Sequence, residues 1–153
     1  MSNQHSFSIL LVDDDQDDQY FFREALTHLD GNLRLSAASS HHEALTFLNA
    51  HTPDFIFLDI NMPIVHGKDS LKYIRSVKKL TDVIVIMLTT SSNEKDVDDC
   101  YALGANLYVT KPLSSSEYSS ILKKIFFLHE QNELRNRARN KFILDREQGF
   151  RGR

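Results

Sequence analysis

Five of the six residues from 13 to 18, Asp-Asp-Asp-Gln-Asp-Asp, are aspartates, and they directly follow the apolar run SILLV at 8–12. Asp17 and Asp18 suit the first turn of a helix, where the macrodipole favours negative charge. Asp13 and Asp14 lack that explanation, because they terminate what reads as a buried strand. A second apolar run, FIFL at 55–58, also ends in an aspartate, Asp59. LTTSS at 88–92 closes a third run with the hydroxyls of Thr89 and Thr90, and YVTKP at 108–112 closes a fourth with the ammonium of Lys111. If these strand ends converge, the carboxylates cannot all ionise unattended: two unit charges about 4 Å apart repel by about 4 kcal/mol at an effective dielectric of about 20. Such a cluster protonates, recruits a cation, or both. Oxygen ligands with room for water suit Mg²⁺, and a Mg²⁺ site beside a free carboxylate is equipment for phosphoryl transfer.

Convergence requires a fold that brings four strand ends together. Candidate strands lie at 8–12, 33–37, 55–58, 83–88 and 107–109, and three of them are nearly unbroken apolar runs, as expected for a parallel sheet covered on both faces. Between them and after the last, helical spacing recurs: Phe22, Leu26 and Leu29; Ala44, Phe47 and Leu48; Leu71, Ile74 and Val77; Val97, Cys100, Tyr101 and Gly104; Tyr118, Ile121, Leu122 and Ile125. Capping boxes mark three helix starts, Ser40 with Glu43, Ser91 with Glu94 and Ser114 with Glu117, and Gly31 and Gly104 sit where the first and fourth helices should stop. The alternation predicts an α/β fold, a doubly wound five-stranded parallel sheet of (βα)₅ flavodoxin-like type with strand order 2-1-3-4-5. There the first and third strands are neighbours, and chemistry belongs outside the strands' carboxyl ends.

The length of 153 residues accommodates one domain and leaves no room for a second folded output or DNA-binding domain. Cys100 is the single cysteine, the N-terminus has no export signature, and the longest wholly apolar run, 83–88, falls far short of the roughly 20 residues of a membrane span. These features predict a cytoplasmic protein with no membrane span. The net charge of −3 hides a split: residues 134–153 carry seven of the 18 Lys and Arg and two of the 21 Asp and Glu, so the tail is +5 and residues 1–133 are −8. An acidic body argues against nucleic acid as the main partner, because binding to phosphates needs clustered cations.

The set VDDD at 12–15, FLDINMP at 57–63, Gly67, LTTSS at 88–92 and GANLYVTKP at 104–112 resembles the receiver domain of two-component response regulators. The separations of 45, 30 and 22 residues along Asp14, Asp59, Thr89 and Lys111 are also those of receivers. The resemblance divides the chain into an N-terminal extension at 1–6, a receiver domain at 7–131, and a basic extension of the last helix or tail at 132–153. It implies that Asp59 is the phosphoryl acceptor and that Asp14, Asp59 and the backbone carbonyl of Asn61 hold Mg²⁺, with Mn²⁺ able to substitute. Asp13 then orients a metal-bound water, Lys111 pairs with a phosphoryl oxygen, and Thr89 moves to let the ring of Tyr108 turn inward as a switch. The implied protein is a single-domain response regulator rather than an enzyme, catalysing only its own phosphorylation and dephosphorylation. It takes phosphoryl from a sensor histidine kinase or histidine phosphotransfer protein and presents an altered face to a downstream protein target. A narrower likeness, in FREAL at 22–26, the stretch from Leu88 to Pro112 and the long C-terminus, is to stand-alone receivers paired with bacterial phytochrome kinases. That group usually has Glu-Asp-Asn where this chain reads Asp13-Asp14-Asp15.

A phosphatase of the haloacid dehalogenase type also uses a strand-end Asp with Mg²⁺, but its general acid, two residues on, is here Asn61, which cannot protonate a leaving group. The output face is expected to comprise the fourth helix, fifth strand and fifth helix. Lys123 and Lys124 on the fifth helix and Asp96, Asp98 and Asp99 on the fourth could pair across the two-fold axis of a homodimer. The tail reads as a continued helix with Phe126, Leu134 and Phe142 on a stripe that meets a second subunit, as a solvated cationic end, or as a basic helix touching a membrane surface or nucleic acid.

Overall fold

The computed structural model describes residues 5–91, 93–145 and 149–150. The strands are β1 (His5–Val12), β2 (Gly31–Ala38), β3 (Phe55–Asp59), β4 (Ile84–Thr89), β5 (Leu107–Thr110), β6 (Ile143–Asp145) and β7 (Gly149–Phe150). The helices are α1 (Gln16–Leu26), α2 (His41–Ala50), α3 (Gly67–Ser76), α4 (Glu94–Ala102) and α5 (Ser115–Glu130). The sheet order is β2-β1-β3-β4-β5-β6-β7, parallel throughout except for the final antiparallel pair. The first five strands thus take the expected order, and β1 pairs with β3 so that Val12 lies opposite Leu58.

Alternate strand residues feed two cores. Ile9, Leu11, Phe55, Phe57, Ile86 and Val109 pack with Phe22 of α1 and Tyr118, Ile121 and Ile125 of α5. Leu10, Val12, Ile56, Leu58, Val85 and Met87 pack on the other face with Leu48, Leu71, Ile74, Val97 and Cys100 of α2, α3 and α4. The central strands β3 and β4 are buried at every residue, which is why they read as unbroken apolar runs, whereas the outer β2 keeps exposed residues between half-buried ones.

The helix ends show how local chemistry departs from the expected boxes. Ser40 and Ser114 accept from the amides of Glu43 and Glu117, but each glutamate reaches back one residue further, to the amides of Ser39 and Leu113. The third box does not form: Asn93 caps α4 by accepting from Lys95 N, while the Ser91 hydroxyl donates to Asp96. Gly104, at φ +97°, closes α4 in a Schellman turn, with Gly104 N bonded to Tyr101 O and Ala105 N to Cys100 O. Gly31 does not cap α1, which ends at Leu26; it opens β2 at φ +118°.

The five-strand expectation is short by the tail. Helix α5 stops at Glu130 with a cap at Gln131, and the chain turns back through Asn132 and Asn136, both at φ 56°. It then lays β6 beside β5, with Tyr108 paired to Ile143. The reason is apolar: Leu134, Phe142 and Leu144 are fully or almost fully buried, and the edge of β5 offers unpaired amides and carbonyls. Phe126, Leu134 and Phe142 therefore lie in the chain's own core rather than on an exposed stripe.

Candidate functional site

The carboxyl edge of the sheet brings the four strand ends together. Asp13 follows β1, Asp59 ends β3, Thr89 ends β4 and Lys111 follows β5, and all four are buried. Carboxylate oxygens of Asp13, Asp14 and Asp59 all lie within 4.8 Å of one another. The Lys111 ammonium stands against them, 2.9 Å from Asp13 Oδ2 and 3.2 Å from Asp59 Oδ2. Its closest partner is one the sequence reading assigned to the helix dipole alone: Asp18 Oδ2, at 2.8 Å. Asp14, Asp15, Asp18, Asp59, Asn61, Thr90 and Lys111 line the open cleft above.

Backbone bonds fix each of these groups. Asp13 N donates to Ala38 O of β2, Asp13 Oδ1 accepts from Asp15 N at 2.9 Å, and Gln19 Nε2 donates to the Asp13 carbonyl. Asp15 caps α1, accepting from the amides of Asp17 and Asp18 and setting the first turn from which Asp18 reaches Lys111. Asp59 Oδ1 accepts from Asn61 N at 3.1 Å. Beyond it the chain makes a three-residue turn, with Val65 N bonded to Pro63 O and Ile64 at φ 70°. The turn delivers Gly67 so close to β3 that a Cβ there would sit 2.2 Å from Asp59 O and 2.6 Å from Ile60 Cα. Only glycine permits that approach, and Gly67 N donates to Ile60 O at 2.8 Å. Lys111 N donates to Thr89 O, which holds the β5 end level with β4.

Burial pushes the Asp13 carboxyl up to about 6, although the Asp15 amide and Lys111 both favour its charged form. Burial also opposes the Lys111 charge, but the close contacts with Asp18 and Asp13 and the field of Asp13 and Asp59 outweigh it and raise its pKa. Asp13 Oδ2, although 2.9 Å from the Lys111 ammonium, has no hydrogen-bond partner in acceptable geometry among the described residues. A buried, unsatisfied carboxylate oxygen beside two further carboxylates is a donor set that fits a hard divalent cation.

A hydrogen-bonded relay leads away from the cleft. Thr89 Oγ1 accepts from Ser91 N, and the Tyr108 hydroxyl donates to Ser91 O at 2.9 Å. The Ser91 hydroxyl donates to Asp96, whose carboxylate is also paired with Lys68 of α3. Tyr108 is buried, with its ring inside the fold rather than on the surface.

Residues 9–123 match the family described as the response regulator receiver domain. The chain belongs to the response regulator receiver family. A solved structure similar to this receiver is the phosphorylated cyanobacterial phytochrome response regulator RcpA, at 30% identity and TM-score 0.75, covering 84% of this chain and 96% of that one. Another is the Mn²⁺-bound form of response regulator Rcp1, at 29% identity and TM-score 0.71, covering 86% and 97%. By sequence the receiver is 34% identical over 110 residues to response regulator Rcp1 of Synechocystis sp., 67% of this chain and 75% of that protein. It is 31% identical over 130 residues to the probable transcriptional regulator ycf29 of Porphyra purpurea, 83% of this chain and only 61% of that relative's length. Its role is that of a receiver in phosphorelay signalling. The haloacid dehalogenase alternative finds no support among these relatives. Receivers bind a divalent cation at this acidic pocket, and no helix of the described residues is long and apolar enough to cross a membrane.

Proposed function

We propose that Asp59 accepts a phosphoryl group from a phosphohistidine of a sensor histidine kinase or histidine phosphotransfer protein. The observation that carries the reading is the convergence of Asp13, Asp14 and Asp59 on Lys111 in one cleft. As the donor N–P bond breaks, an O–P bond forms to an Asp59 oxygen, and the departing ring nitrogen keeps the N–P electron pair, so a phosphoimidazole protonated on its other nitrogen leaves as neutral imidazole. The Asn61 amide holds the other Asp59 oxygen and so fixes the carboxylate plane. The Lys111 ammonium stabilises charge on the phosphoryl oxygens. Asp14, Asp59 and the Asn61 carbonyl would hold Mg²⁺, or Mn²⁺ in its place, with Asp13 orienting a bound water. The ion would neutralise the carboxylates and the incoming phosphoryl oxygens.

The phosphoryl group then draws the Thr89 hydroxyl as a donor toward one of its oxygens, and that movement takes the Thr89 oxygen away from the Ser91 amide from which it now accepts. Withdrawing it disturbs Ser91, and with it Tyr108 and Asp96, so the readout passes to α4, β5 and the segment packed on them. A downstream protein target reads that face. The protein is a cytoplasmic signalling component whose only chemistry is on itself. The acids expected to pair across a dimer are engaged within the chain, Asp96 and Asp99 with Lys68 and Asp98 with Arg139, so self-association would need other contacts, such as the exposed Phe127.

The test is intact-mass analysis after incubation with acetyl phosphate, with and without Mg²⁺. The expected result is one hydroxylamine-sensitive phosphoryl group on the wild type with Mg²⁺ and none on Asp59→Asn; equal labelling of the two proteins overturns the assignment.

A further inference from the structure

The Lys111 ammonium donates to Asp18 Oδ2 and Asp59 Oδ2 and stands 2.9 Å from Asp13 Oδ2 as an ion pair, so its charge is engaged by three carboxylates before any phosphoryl group arrives. The three carboxylates differ in what else they do. Asp59 is the proposed phosphoryl acceptor. Asp13 belongs to the three-carboxylate cluster and is buried. Asp18 is neither: it stands outside that cluster, its side chain is 19% exposed, and it makes the shortest of the three contacts, at 2.8 Å.

We propose that Asp18 sets how readily the phosphoryl group is acquired and how long it stays, by competing with it for Lys111. The inference rests on the phosphoacceptor reading of Asp59 given above. When Asp59 becomes an acyl phosphate, a group with two negative charges is attached to it, and Lys111 must turn a donor to one of its oxygens. Asp18 is the contact that yields, because it lies at the solvent edge of the cluster whereas Asp13 is enclosed. Its release leaves a carboxylate next to the phosphoryl anion. Asp18 therefore opposes both the approach of an anionic donor and the persistence of the product, at a distance where unit charges still act strongly across a partly solvated gap. Asp18 is a positioning residue acting through Lys111. Its place is built in by α1, since its amide and that of Asp17 are both held by the Asp15 cap.

The experiment measures labelling rate and phosphoryl half-life by intact mass for wild type, Asp18→Asn and Asp18→Glu, all with Mg²⁺. Acetyl phosphate, which carries two negative charges at pH 8, is compared with the less negative phosphoramidate. Asparagine keeps the shape and an acceptor for Lys111 but removes the charge, so it should label roughly three- to tenfold faster with acetyl phosphate and lose the group correspondingly more slowly. The gain should be smaller with phosphoramidate, and Asp18→Glu should stay close to wild type. A purely structural role would move both donors alike. Equal rates and half-lives for wild type and Asp18→Asn, or slower labelling of Asp18→Asn, would overturn the competition. A wild type that acquires no phosphoryl group on Asp59 would instead remove the phosphoacceptor reading, and this inference with it.

Discussion

The carbonyl of Phe142 accepts the amide of Tyr108 at 2.9 Å, and their rings lie with centroids 6.1 Å apart, so a residue of the basic tail closes over the aromatic of β5. Phe142 is fully buried, and its ring also meets Tyr101 at 5.1 Å. Tyr101 OH donates to Arg137 O, Asn106 Nδ2 donates to Leu134 O, and Arg139 pairs with Asp98, so the segment is held along its length. Phe142→Ala should destabilise the protein by about 3 kcal/mol, the lower end for a buried phenylalanine because the site is at a sheet edge. Urea unfolding with an unchanged slope is the measurement. A change within about 0.5 kcal/mol would mean that the tail contributes no packing.

Ile64 is a fully exposed β-branched residue at φ 70°, in the turn that brings Gly67 against β3. That conformation costs a β-branched side chain of order 1 kcal/mol, and no burial offsets it. Ile64→Gly should therefore raise unfolding free energy by about 0.5 to 1 kcal/mol, less the entropy that glycine adds to the unfolded chain. Gly67→Ala should do the opposite and displace Asp59 as well, visible as lost stability together with lost labelling. Denaturation curves of both variants decide the matter.

Much of the site is legible in the sequence because three of the strands that carry it, β3 to β5, are covered on both faces. A polar residue that ends an unbroken apolar run stands out, and Asp13, Asp59, Thr89 and Lys111 all do. Asp18 does not stand out. It falls in the first turn of a helix, where the macrodipole already explains an acid, and its partner is 93 residues away. Strand β6 is only three residues long, too short for any period; the apolar triplet Phe142-Ile143-Leu144 within a cationic tail is its one local signal. The failed capping box has the same origin: Ser91 and Asn93 are both good caps, and the choice between them depends on Asp96 capturing the Ser91 hydroxyl. Arg75 reads as a surface residue of α3, yet it donates to the carbonyls of Leu80, Thr81, Val83 and Gly104 and to Asn106 Oδ1, joining α3 to the starts of β4 and β5.

Lys68 links α3 to α4 through Asp96 and, at 2.9 Å, Asp99. The Lys68 bond holds the Asp96 carboxyl below its ordinary value of 3.8, and the same contact raises Lys68 above 10.5. The sign follows from both. For Asp96 the stabilisation is present above pH 3.8 and is lost as pH falls through its lowered value. For Lys68 it is present below pH 10.5 and is lost as pH rises through the raised value. The side chains of Lys68 and Asp96 are each 21% exposed, so solvent limits the pair to about 1 kcal/mol. Lys68→Met should cost about that much at pH 7 and progressively less below pH 3.8. Thermal unfolding across pH checks it; a deficit that persists at pH 2 would assign the loss to packing of the lysine stem.

Asp13 and Asp14 are adjacent in sequence but unlike in setting, and their amides should separate their roles toward a divalent cation. Asp13 is enclosed, with Oδ1 on the Asp15 amide and Oδ2 beside Lys111. Asp14 is exposed and lines the cleft with Asp59 and Asn61. An ion entering from solvent would meet the exposed Asp14 carboxylate first, whereas Asp13 lies enclosed behind it with Oδ1 held by the Asp15 amide and, on the proposed reading, acts through water. Loss of an outer partner typically weakens metal binding by about 10- to 100-fold, and loss of a direct carboxylate should weaken it more. Titrating Mn²⁺ by calorimetry should therefore show Asp14→Asn weaker than Asp13→Asn, with Lys111→Met at least as tight as wild type because it removes a competing cation from the same oxygens. The reverse order for the two asparagine variants would give Asp13 the direct bond and move the ion deeper, toward its unsatisfied Oδ2.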